Sequence, residues 1–431
     1  FTYIGRPAMP STPVVMLTMT YDLNGNLRSV TDGAYNGQTV HTYDALNRRT
    51  STTHTEVATS GPTVPAVAAK RAEFTYFDNG LLETIKRFDG ATSNDTVIAT
   101  TTYAYFNDNS VKTINHTYDD EGTAVTITSY SYTYLADGDI DVMTSSVDGT
   151  ITYTPDATGQ VTAVAYTDSS DNESYDYDDN GNRDTATVAG DASTYANITG
   201  SNRMLSDGTY RYEYDANGNR TLRYEDNDAS GGLSAGDESI TVYEWDYRNR
   251  LVKVLDYEDH ADFNDDEDLD DSAQIVEYVY DFFNNRIAKI VDADGDGATE
   301  SPVRTNFALL DGEVYLEFND TTLTHRYMPG PTIDMNLAIE DISADPTPTT
   351  LWALTDHQGT VRDVIDSGSV VKNHIEYSSF GFITAQWDDP PEYRFGYTGR
   401  ELDAETGLHY YRARYYDAKN GKFISEDPIA F

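Results

Sequence analysis

The sequence predicts an all-β protein: a spiralling ribbon of antiparallel β-hairpins. Three observations predict it. One tyrosine–aspartate phrase keeps returning, the composition favours strands and turns, and no stretch carries a convincing helical period. The phrase is "YDLNGNLRSVTDG" at Tyr21, "YDALNRRTST" at Tyr43, "YFDNGLLETI" at Tyr76, "YDDNGNRDTAT" at Tyr177 and "YDANGNRTLRY" at Tyr214. "WDYRNRLVKV" at Trp245 and "YDFFNNRIAKI" at Tyr280 repeat it, and weaker copies start at Tyr105, Tyr134 and Thr154. Neighbouring copies lie 20 to 37 residues apart. That spacing marks an array of similar units.

One unit can be read element by element. An alternating strand such as "TYRYEYD" ends on the aromatic residue. Asp and Asn-Gly then supply a tight turn with positive φ. A second alternating strand, "NRTLRYE", leaves the turn. A single hairpin is marginal in water, so hairpins stack side by side and cover one another. The terminal stretch "ELDAETGLHYYRARYYDAKNG" has alternating aromatic doublets and ends in Lys-Asn-Gly, which predicts strands and turns there as well.

Composition narrows the function. Tyr stands at 34, hydrophobic residues at 38% and net charge at −44. So acidic a chain lacks the basic face that nucleic acid or an anionic membrane requires. No apolar run approaches the ~18 residues of a membrane span. There are no cysteines, which excludes disulfides and thiolate metal sites. Charge and the Thr/Asp bias point to a secreted or cell-surface protein. The opening "FTYIGRPAMP" has neither an initiator Met nor a leader, so a longer parent chain is expected.

From His325 onward the residues resemble a known family. "HRYMPG", "WALTDHQGTVRDVID" and "YSSFGFI" lead into "YRFGYTGRELDAETGLHYYRARYYDAKNGKFISEDPIAF", which closely resembles the RHS repeat-associated core domain. The Tyr-Asp phrases resemble the YD repeats of RHS proteins, a family that includes toxin-complex shell subunits, polymorphic toxins and the teneurins. The resemblance implies a curved or closed YD-repeat shell, a β-cocoon or barrel, around a C-terminal polypeptide. The expected division is residues 1–320 as repeat shell, with acidic insertions near 226–237, 256–271 and 292–300. Residues 321–431 are then the core, acting as plug and self-cleavage segment.

The resemblance also implies chemistry. Family cores end in Asp-Pro-x-Gly and a large apolar residue, with cleavage after it. Here the run is Asp427-Pro428-Ile429-Ala430-Phe431, with Ala430 where Gly is usual, so Phe431 marks the expected cleavage site. The matching acid pair is Asp403 and Asp427. Two close carboxylates share a proton, so one activates water while the other polarises the carbonyl. Arg400, three residues before Asp403, is expected to orient or bias the pair. His357, in "TDHQG", reads as a turn or packing residue. The chemistry this implies is at most single-turnover, aspartic-type self-processing, with no external substrate expected.

Two acidic insertions have calcium-loop spacing. Asp226, Asp228, Ser230, Gly231, Ser234 and Asp237 fall at positions 1, 3, 5, 6, 9 and 12 of such a loop. Asp292, Asp294 and Asp296 take positions 1, 3 and 5 of a second, with Gly297 at 6 and Glu300 at 9. No cofactor is required; structural Ca2+ is the expected ion, and solvated acidic loops are the alternative. Expected partners are the chain's own cleaved C-terminal polypeptide, other shell subunits or cell-surface ligands. The leading function is a shell that releases a C-terminal toxin or effector. The alternative is an extracellular adhesin or matrix protein without cargo.

Overall fold

The structure is a computed structural model that describes residues 13–57, 66–264, 273–295, 302–343 and 348–428. Each recurring Tyr-Asp phrase is a hairpin turn closed by the same backbone bond, and wherever Asp follows the aromatic residue its side chain caps the turn. The Tyr76 copy has Phe77 there and keeps the backbone bond without that cap, Gly80 N–H to the Phe77 carbonyl at 2.9 Å. In the first, the Gly25 N–H donates to the Asp22 carbonyl at 3.1 Å. Asp22 Oδ1 accepts the N–H groups of Asn24 and Asn26, both at 2.9 Å. Asp44, Asp178, Asp215, Asp246 and Asp281 accept two backbone N–H groups in the same way. The fourth turn residue needs positive φ, hence Gly25 (+85°) and Gly218 (+82°) or Asn47 (+62°) and Asn249 (+58°). A register shift at the aromatic residue accompanies these turns, as a bulge does.

The aromatic residue links one hairpin to the previous one. The Tyr43 hydroxyl donates to the Leu27 carbonyl (2.8 Å), Tyr76 to Arg49 (2.7 Å), Tyr134 to Val111 (2.8 Å) and Tyr280 to Leu251 (2.7 Å). Trp245 makes the same bond through its indole N–H, to the Arg220 carbonyl. Each acceptor is the first residue of the strand leaving the preceding turn. A ring packs against the sheet while its polar tip satisfies a neighbour's carbonyl, which explains the choice of Tyr over Phe.

Among the described residues the hairpins form three antiparallel sheets in which strand order follows sequence order. The first has fifteen strands, from Leu17–Tyr21 to Asp191–Thr194; the second has sixteen, from Ala196–Asn197 to Ile383–Gln386. The third has four, from Glu401–Asp403 to Lys422–Phe423. Each is an open strip. The second sheet runs unbroken through the expected boundary at 320/321. The acidic insertion after Asp259 begins with a five-residue helix, His260–Asn264, where only loop was expected. Asp259 Oδ1 caps it, accepting from the Ala261 and Asp262 N–H groups.

The layers follow from side-chain alternation. Met328, Ala338, Trp352 and Ile365 of the second sheet cluster with Phe74, Ile85 and Ile98 of the first. Their sequence neighbours Tyr327, Ile339, Leu351 and Val364 point the other way, into a cluster with Phe395. Further back, Tyr243, Val254, Val276 and Tyr278 pack on Leu408, Tyr410, Tyr415 and Ile424. The second sheet thus lies between the first sheet and the C-terminal segment. Buried ion pairs cross the first seam, including Lys70 with Glu340 and Asp148 with Arg362 (2.8 Å).

Candidate functional site: a buried acid in the C-terminal segment

Asp403 ends the first strand of the third sheet and is fully buried. Arg286, from the second sheet, donates Nη1 to Asp403 Oδ2 (2.5 Å) and Nη2 to Glu401 Oε2 (2.8 Å). Lys289 Nζ stands 3.5 Å from Asp403 Oδ1 and 2.7 Å from Glu405. Arg394 extends the network to Glu317 (2.8 Å) and Glu401 (3.5 Å). The rings of Tyr278, Tyr410 and Tyr415 surround the Arg286 guanidinium. Burial pushes the Asp403 carboxyl up, but the Arg286 and Lys289 charges outweigh it and hold it below the usual range. Asp403 is therefore ionised. Its Oδ1 has no hydrogen-bond partner.

Asp427 sits near the end of the described chain, partly exposed, with Arg414 Nη2 3.1 Å from its Oδ2. The Arg414 guanidinium lies 3.6 Å over the Phe423 ring. The two acids are thus held by different cations. Arg400 bonds elsewhere, to Asp334 Oδ2 at 2.7 Å, and stacks on Tyr411. The structure brings Arg286, not Arg400, onto Asp403. Arg286 is the arginine of the "YDFFNNR" phrase, and that repeat position was the only signal of it in the sequence. Phe431 lies outside the described residues. His357 is half-buried and packs on Tyr132, ring centroids 4.6 Å apart.

The first acidic loop joins strands Arg220–Glu225 and Glu238–Trp245. Carboxylate oxygens of Asp226, Asp228 and Asp237 all lie within 4.8 Å of one another. Ser230 N–H donates to Asp226 Oδ1 and Asp228 Oδ1, and Ser234 Oγ donates to Asp228 Oδ2 at 2.8 Å. This all-oxygen donor set fits a hard cation. In the second loop Asp292 is buried at a strand end and Asp294 is exposed, while Asp296 and Glu300 lie outside the described residues.

Residues 342–431 match the Teneurin YD-shell family model. Salivary gland surface protein 1 of Aedes aegypti is 32% identical over 178 residues, 38% of this chain and 5% of that protein. The tRNA3(Ser)-specific nuclease WapA of Bacillus spizizenii is 27% identical over 260 residues, 59% of this chain and 9% of that one. The chain thus spans under a tenth of the length of these relatives. Among solved structures, a Photorhabdus luminescens Tc holotoxin pore with a mutated TccC3 superposes with a TM-score of 0.70 at 17% identity. It covers 96% of this chain and 20% of that one. TcdB2-TccC3-TEV superposes at 0.60 and 15% identity over the same shares. No helix among the described residues is long and apolar enough to cross a membrane.

Proposed function

From an RHS/YD-repeat wall whose C-terminal segment matches the YD-shell family, we propose that this protein encloses a C-terminal polypeptide and frees it by cutting its own chain after Phe431. Ionised Asp403 takes a proton from water, and the water oxygen bonds to the Phe431 carbonyl carbon. The C–N bond to the next residue breaks as that amine takes up the proton that Asp403 drew from the water, while Asp427, in its protonated form, polarises the Phe431 carbonyl. The observation that carries this reading is the buried Asp403 carboxylate, held at one oxygen and free of hydrogen bonds at the other. The freed polypeptide is a toxin or effector, and the parent protein is secreted or displayed at a cell surface. The match to an Aedes surface protein favours a second reading, an adhesin or structural wall without cargo.

The test is a chain extended past Phe431 and followed by gel mobility and intact mass. Wild type yields a fragment ending at Phe431, and Asp427→Asn stays whole. Identical fragments from both proteins overturn the assignment; an uncut wild type favours the adhesin. We also assign Asp226, Asp228 and Asp237 to one structural Ca2+. EGTA is expected to lower the melting temperature of wild type but not of Asp228→Asn, and an unmoved wild-type melt removes the ion.

A further inference from the structure

We propose that Arg286, a residue of the repeat wall, is the positioning residue that orients Asp403 for cleavage. The inference rests on the self-cleavage reading above and extends it: the wall supplies a working part of the site that cuts the chain. Arg286 comes from the second sheet and Asp403 from the third, so the pair exists only when the C-terminal segment is seated. Cleavage is thereby tied to completed folding of the wall.

The geometry is specific to arginine. A planar fork takes two acceptors at fixed directions, which a lysine ammonium cannot reproduce. Here one arm holds Asp403 Oδ2 and the other Glu401 Oε2, on the same short strand. With Oδ2 fixed, the carboxylate plane is fixed, and Oδ1 makes no hydrogen bond, with the Lys289 ammonium standing off at 3.5 Å. A general base needs that arrangement. A cavity of about 260 Å³, lined in part by Lys289, Leu402, Ala404 and Glu405, runs beside the same strand.

Other charged groups face Asp403 as well. Lys289 reinforces the negative charge and is itself shared with Glu405. Arg394 acts from further off and is paired with Glu317 and Glu401. The Tyr278 and Tyr415 hydroxyls are pushed far up by burial and stay neutral. His409, driven down to about 4 by burial, is neutral near pH 7; Asp417 is paired with Arg220 at 2.9 Å. Removing Arg286 therefore leaves Lys289 as the main counter-charge and lets burial raise the Asp403 carboxyl.

The experiment is the single-turnover cleavage rate against pH, in chains extended past Phe431, with melting temperature recorded alongside. In Arg286→Gln the acid limb is expected to move up by about one pH unit or more, and the rate to fall about 10²-fold. Arg286→Lys keeps the charge but not the fork, so its acid limb stays near wild type while its rate drops. Asp403→Asn abolishes cleavage in every background. A folded Arg286→Lys with both the rate and the pH profile of wild type overturns the proposal. If Arg286→Gln does not fold, Arg286→Lys decides. An uncut wild type overturns the cleavage reading and this proposal with it, whereas a cut wild type with an unmoved Arg286→Lys rate overturns this proposal alone.

Discussion

The first sheet and the second are woven from one kind of hairpin, yet they meet different surroundings. Strand Thr123–Tyr134 of the first sheet alternates between buried and exposed positions along its second half. Strand Thr349–Thr355 of the second is buried along five consecutive positions. The turns, the Asp-to-backbone bonds and the tyrosine hydroxyls are alike in both. What differs is the second face of the sheet: Thr and Ser in "TITSYSYTY" against Leu, Trp and Ala in "TTLWALT". Turn chemistry makes the ribbon, and face composition decides whether it becomes an outer or an inner layer.

Substitution at the covered seam breaks that contrast most strongly. Trp352→Ala opens a cavity between the sheets, and Glu340→Ala strands Lys70 and Arg326 inside it. Each is expected to cost about 3–5 kcal/mol in urea unfolding. A smaller effect separates the sheets by pH. His374 bridges Asp148 and Asp363, 2.6 Å from each, so both ring nitrogens donate and the ring is cationic. Burial opposes that charge, but the two carboxylates raise its pKa to about 9. Its contribution is complete below about pH 6.5, fades as pH rises through 9, and is worth about 2–3 kcal/mol at neutrality.

Buried His41 and His116 behave in the opposite sense. Burial first, then Arg49 and Arg87 respectively, drive them down to about 3, so they cost stability as pH falls below about 6.5. Stability measured from pH 4 to 10 is therefore expected to fall at both ends. His374→Gln removes the part of the alkaline fall that lies between about pH 6.5 and 9, leaving the steeper loss near pH 10 from the buried tyrosines. Tyr280→Phe, losing the hydroxyl's bonds to the Leu251 carbonyl and the Tyr415 hydroxyl, is expected to cost about 1–2 kcal/mol. Thr133→Ala, on the open face of the first sheet, stays within about 0.5 kcal/mol.

The legible parts of this molecule were the local ones. Asp, Gly and Asn at fixed places in a six-residue phrase state their turn outright, and the strand periods on either side state the hairpin. A C-terminal motif singled out Asp403 and Asp427 as the expected acid pair, and the structure holds them on different cations, Arg286 and Arg414. Arg286 stayed hidden because its partner lies 117 residues away and sheet packing alone joins them. The tyrosine bonds were equally hidden: each needs the register between one hairpin and the next. The double burial of the second sheet was written as short apolar runs, but what covers its second face became visible only with the third sheet in place.

The cross-sheet pairs advance in step along both strips: Thr39 meets Tyr315, Lys70 meets Glu340, Arg87 meets Ala353, His116 meets Thr355 and Asp148 meets His374. The strips therefore act like the two scales of a vernier, locked by many matched marks at once. One hairpin inserted early in the first strip would throw every later mark out of phase. Growth or loss of repeats is thus confined to matched changes in both strips or to positions beyond the last shared mark, so the wall's length is inherited as a pair of numbers.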